Sequence, residues 1–198
     1  SSVEAAVQVG NTFDSSVVAG LWKFNKWKYD FQFLAGNYYQ DITIGTAWAG
    51  NIKNAGFKTE VSYFHPKNNF LDTSGVVSLS TTLDYSFKNG IYINGSILFN
   101  SNGLNQPMNS SSLFQTFIGE ITAKSLMPSK FTYFAQMSGA FNPKFSGSMS
   151  VFYMQGINML LCMPSLVYAI EDDWELMFTA QSAFGEMNNS FEDMGSGL

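Results

Sequence analysis

From Val76 to Phe99 the chain reads VVSLSTTLDYSFKNGIYINGSILF. Its odd positions begin Val77, Leu79, Thr81, Leu83, Tyr85 and Phe87. The even positions between them are Ser78, Ser80, Thr82, Asp84 and Ser86. A period of two predicts a strand with one apolar and one polar face. Lys88-Asn89-Gly90 predicts a short hairpin turn. Alternation then resumes with Ile91, Ile93, Gly95, Ile97 and Phe99 against Tyr92, Asn94 and Ser96. Two strands of about eleven residues are long beside the usual five or six.

The same period runs along most of the chain. It predicts strands over 3–13, 18–25, 28–39, 42–52, 57–63, 131–141, 145–153, 159–170 and 174–184, making about eleven in all. Met159 to Ile170 is apolar at both parities, so it packs inside or forms a subunit contact. Short turns at 26–28, 53–55, 88–90, 142–144 and 171–173 share one end of the strands. Loops at 66–75, 101–130 and from 186 onward share the other. Over 113–126, Phe114, Phe117, Ile118 and Ile121 recur at three and four residues. Ser111 or Ser112 can cap a helix there, and Pro128 follows it. Strand parity works only if this short helix stays in an outer loop. An odd strand count also leaves a return strand expected after Leu198, so the chain reads as truncated.

Alternation does not say which face meets water. The polar faces here are mainly Ser, Thr and Asn, whereas a water-exposed surface is usually rich in Lys and Glu. A polar lumen needs only small hydrogen-bonding groups, so the apolar face is expected to meet lipid. Strands of about eleven residues, tilted by roughly 45°, span a hydrocarbon layer. The expected fold is all-β: a single antiparallel transmembrane β-barrel over 1–198, with about 11–12 strands. Trp22, Trp27, Tyr29, Phe87, Phe141, Phe145 and Trp174 are expected to form an aromatic girdle at the turn end. Tyr39, Tyr63, Phe131 and Tyr153 form the other.

Composition supports this. Charged residues are 13%, about half the proportion of a soluble domain. Aromatics reach 16% and mean hydropathy is near zero. No run approaches the eighteen or so apolar residues of a membrane helix. Net charge is −5 and basic residues are unclustered, which argues against nucleic-acid binding. The one cysteine, Cys162, cannot form an internal disulfide.

Two segments, DFQFLAGNYYQDITIGTAWAGNIKNAGFKTEVSYF and PSLVYAIEDDWELMFTAQSAFGE, resemble bacterial outer-membrane β-barrels of the porin-like, Bacteroidota type. The resemblance implies an outer-membrane location, with the lipid bilayer and small polar solutes as partners. It also implies a closing strand ending on an aromatic residue, whereas this chain stops at Gly-Ser-Gly-Leu.

Candidate chemistry is sparse. Lys58, Glu60, Asp84, Asn94, Gln136, Glu175 and Gln181 are expected to line a pore, where mixed charge favours small polar solutes. The alternative is a lumen plugged by hydrogen-bonded side chains. His65, the only histidine, is expected to face outward at the outer rim. It lacks the oriented partner and nucleophile of a catalytic set. Glu171, Asp172 and Asp173 lack calcium-loop spacing and read as a solvated turn. Met154, Met159 and Met163 read as packing or lipid-facing residues. Neither cofactor, metal nor catalysis is expected. The leading reading is a passive porin-like channel. A structural or partner-binding barrel, associating with other envelope proteins or with its own copies in an envelope complex, is second. A soluble barrel holding a greasy ligand is third, and an enzyme last.

Overall fold

The computed structural model describes residues 1–106, 122–124, 126–171, 174–187 and 190–197. They form one antiparallel sheet of 13 strands. The first five are β1 (Ser2–Gln8), β2 (Val17–Lys26), β3 (Tyr29–Tyr38), β4 (Asp41–Ile52) and β5 (Ala55–Pro66). Next come β6 (Val76–Ser86), β7 (Tyr92–Asn100), β8 (Phe131–Asn142) and β9 (Phe145–Met154). The last four are β10 (Met159–Glu171), β11 (Trp174–Thr179), β12 (Gln181–Met187) and β13 (Ser190–Gly197). Each strand from β1 to β10 pairs with the next in sequence.

The long hairpin behaves as its pattern predicts. Phe87 N–H donates to Ile91 O at 2.7 Å, and Gly90 N–H donates to Phe87 O at 3.1 Å. Gly90 has φ 84, so a left-handed glycine closes a three-residue loop. Between β2 and β3, Trp27 and Lys28 both take positive φ, 55 and 68. Two such residues make the mirror-image turn whose twist suits a hairpin.

β11 and β12 lie end to end against β10 and form one stave. Ser165 pairs with Thr179 and Cys162 with Ser182, so the register does not slip between them. The break falls at Ala180, opposite Pro164. Ala180 N–H donates to Pro164 O at 3.1 Å, but proline has no N–H to return. The strand expected over 174–184 is therefore interrupted once.

Four expectations change. The segment from 186 onward is not loop throughout, because β13 pairs with β12 along Gln181–Met187. β13 is one more strand than the sequence pattern predicted, and the staves among the described residues number twelve. β1 ends at Gln8 rather than Phe13; a 3₁₀ turn over Phe13–Ser15 replaces the rest. The helix expected over 113–126 lies mostly outside the described residues, and 122–124 are bridge and turn. Finally, the barrel is not closed: among the described residues no ladder joins β1 to β13. A seam needs a last strand that runs the full height of its neighbour. β13 covers only β12 and leaves β11 without a second partner.

The sheet nevertheless carries the stagger of a barrel wall. A row of direct partners runs from Ser2 through Lys23, Gln32, Ala47, Glu60 and Ser80. It continues through Leu98, Thr132, Met154 and Met159. Ser2 begins β1 at the short-turn end, whereas Met159 begins β10 at the loop end. The strands have therefore climbed by nearly the 13-residue length of β10. Tilted, sheared strands of this kind are what a cylindrical sheet requires.

Candidate functional site

The two faces of the sheet differ in kind. One is open and apolar. On it Leu83, Ile93 and Ile97 are 48%, 39% and 46% exposed. Trp22, Phe33, Ile44, Met137, Leu166 and Phe178 are exposed on the same face, from β2 to β11. Soluble monomers rarely expose a continuous apolar surface of more than a few hundred Å². Polar groups here satisfy one another: Thr59 Oγ1 and Thr81 Oγ1 lie 3.1 Å apart, and Thr59 is 5% exposed. Of the rings expected as girdles, Phe141 stacks with Phe145 at 5.2 Å between centroids, and Tyr153 lies 6.3 Å from Tyr133. The Tyr133 and Tyr153 hydroxyls bond Gln155 and Asn158 at the loop end.

The other face carries the mid-strand charges Glu4, Lys23, Asp30, Lys58, Glu60 and Asp84. Lys23 Nζ pairs with Glu4 Oε1 at 2.9 Å, and Asn25 Nδ2 donates to Asp30 Oδ1 at 2.9 Å. Three of the seven expected pore-lining residues form one ladder. Asp84 pairs with Asn94, and Asn94 with Gln136, with Gly56 before them and Ser150 after. Asn94 Nδ2 also donates to the Tyr92 hydroxyl at 3.3 Å. Lys58 and Glu60 lie on the neighbouring rows, opposite Thr82 and Ser80, and both are exposed. Glu175 pairs with Ala169 and shares this face at the turn end. Gln181 precedes Ser182, the partner of Cys162, so alternation turns it to the same side. The structure therefore brings five of the seven together and sets Glu175 and Gln181 apart from them.

This face is not polar throughout. Phe134 and Phe152 are direct partners with ring centroids 4.6 Å apart. At the loop end Met154, Ile157 and Met159 are buried and pack with Leu104 and Ala183. That accounts for the inner face of the doubly apolar β10, whose outer face exposes Leu166, Tyr168 and Ile170. Met154 and Met159 are thus packing residues. The Ser129 hydroxyl accepts from Gly156 N–H at 2.8 Å and donates to Phe131 O at 2.8 Å, fastening the end of the β7–β8 loop.

A second polar cluster, not foreseen from sequence, closes the loop end. Lys124 Nζ lies 2.7 Å from Asp41 Oδ2, and Asp41 is 6% exposed. Asn100 Nδ2 donates to Lys124 O at 2.7 Å, and Ala123 N–H donates to the Tyr38 hydroxyl at 3.3 Å. Lys67 Nζ meets Asp14 Oδ1 at 2.6 Å beside it. These contacts join residues far apart in the chain, so no local pattern announces them.

His65 sits on the open face, paired with Ile42. Its Nε2 lies 2.7 Å from Phe70 O, and its Nδ1 lies 2.7 Å from the Tyr63 hydroxyl. A carbonyl only accepts, so Nε2 donates to Phe70 O. Both nitrogens are engaged in fastening the β5–β6 loop. Asp172 and Asp173 lie outside the described residues. Among the described residues no group of three or more His, Cys, Asp or Glu is placed to hold a metal. No helix is long and apolar enough to cross a membrane, which says nothing of crossing with strands.

Comparison with protein-family models, with curated proteins and with solved structures finds no match to this chain.

Proposed function

We propose that the chain forms the wall of a transmembrane β-barrel in a bacterial outer membrane and acts as a porin-like channel for passive diffusion of small polar solutes. The observation that carries this is the exposed apolar face, which runs from β1 to β11 and is backed by a face holding the mid-strand charges. In water that surface would aggregate; in hydrocarbon it is the stable arrangement. The resemblance to Bacteroidota-type barrels points to the same membrane. An even stave number sets β1 antiparallel to β13, the orientation a barrel seam needs. Lys58, Glu60, Asp84, Asn94 and Gln136 would then line the conduit and supply its mixed field. No covalent step is involved.

The test is reconstitution in planar bilayers after refolding from detergent. Stepwise ohmic currents are expected. A protein that purifies without detergent and gives no current overturns the proposal. The second reading, a closed structural or partner-binding barrel, draws on the buried Met154–Ile157–Met159 cluster filling the loop end. It predicts stable membrane insertion with no current.

A further inference from the structure

The loop end holds a cavity of about 570 Å³, lined by Asp14, Tyr38, Tyr39, Gln40, Asp41, Thr122 and Lys124. That volume is in the range of small-molecule sites. We propose that it binds a neutral saccharide. This deepens the channel reading, on which it depends for the role of the sugar but not for the binding itself.

Charge points to a neutral ligand. Both carboxylates are already paired, Asp14 with Lys67 at 2.6 Å and Asp41 with Lys124 at 2.7 Å. An ionic ligand must compete with one of those pairs; an uncharged one does not. Each carboxylate keeps a second oxygen that can accept from a hydroxyl, and the Lys124 ammonium carries three N–H donors. Among the described residues nothing bonds the Gln40 amide, which adds one donor group and one acceptor.

An aromatic platform completes the set. The Tyr39 ring is 37% exposed and stands edge-on to Tyr38, with centroids 4.8 Å apart. Its backbone is left-handed, φ 54, and its N–H donates to Ser16 O at 3.1 Å. That conformation belongs to the two-residue turn joining β3 and β4, which holds the ring at the cavity. The electron-rich ring face attracts partial positive charge, such as that on the C–H face of a pyranose. It would attract an organic cation too, but a cation must compete with Lys67 and Lys124 for their carboxylates.

The experiment is saturation-transfer NMR on the whole chain in a sugar-free zwitterionic detergent, with maltose as probe and choline as competitor. Transfer to maltose ring protons is expected. Tyr39→Phe should keep it, and Tyr39→Ala should weaken apparent affinity about tenfold, the scale of one aromatic contact. Asp14→Asn, in a surface loop outside the strands, should also weaken it and serves if Tyr39→Ala fails to refold. No transfer to the wild-type chain, undiminished binding in a folded Tyr39→Ala or Asp14→Asn variant, or displacement by choline overturns the site. Binding without bilayer current overturns the channel alone; current without binding overturns the site alone.

Discussion

Lys124 and Asp41 stand 83 positions apart, yet Nζ and Oδ2 meet at 2.7 Å. Their contact ties the β7–β8 loop to the start of β4, across the ends of β5 and β6. The Asp41 side chain is only 9% exposed, so losing Lys124 would leave a nearly buried carboxylate without its ion-pair partner. Lys124→Met is expected to cost about 1–3 kcal/mol, less than a fully buried pair because Lys124 remains partly wetted. Limited proteolysis of the refolded protein should then cut the β7–β8 loop faster. Unchanged cleavage would show that the pair contributes nothing to holding it.

The two faces predict opposite tolerances. Ile97→Lys, on the open face, should cost about 2–4 kcal/mol when folding is measured by urea titration in lipid vesicles. Gln136→Lys, on the other face, should cost less than about 1 kcal/mol under the same conditions. Equal costs would mean that the sheet has no lipid-facing side.

Lys58, Glu60 and Asp84 set the charge along the proposed conduit. Replacing Glu60 and Asp84 together by Lys should shift the reversal potential toward anion selectivity in a salt gradient. A potential that does not move places the ion path elsewhere.

Pro164 interrupts the outer stave at Ala180. Pro164→Ala supplies the missing N–H opposite the Ala180 carbonyl, and should stabilise the sheet by about 0.5–1.5 kcal/mol. Hydrogen exchange should find the new amide at position 164 protected. Fast exchange there would mean that the break has another cause.

Much of the wall was legible in the chain. Val77 to Phe87 alternates without a fault, and Asn89-Gly90 marks its turn, because both signals are local. Exposure of Leu83, Ile93 and Ile97 follows the face assignment made from parity. The tail was misread because its Asn, Ser and Gly residues favour turns, while pairing along Gln181–Met187 is tertiary. The break at Ala180 was equally hidden: its cause, Pro164, sits on the facing strand. Of the polar residues chosen by alternation, Asp84, Asn94 and Gln136 became neighbours only once the register was set.

By itself, then, the sequence determined the strands, their short turns and which side chains share a face, since each depends on residues one or two positions apart. Tertiary structure alone decided the stave count, the stagger, the open edges of β1 and β13, and the cluster around Asp41. Those depend on backbone hydrogen bonds and charge contacts between distant segments, whose energies leave no periodic trace along the chain.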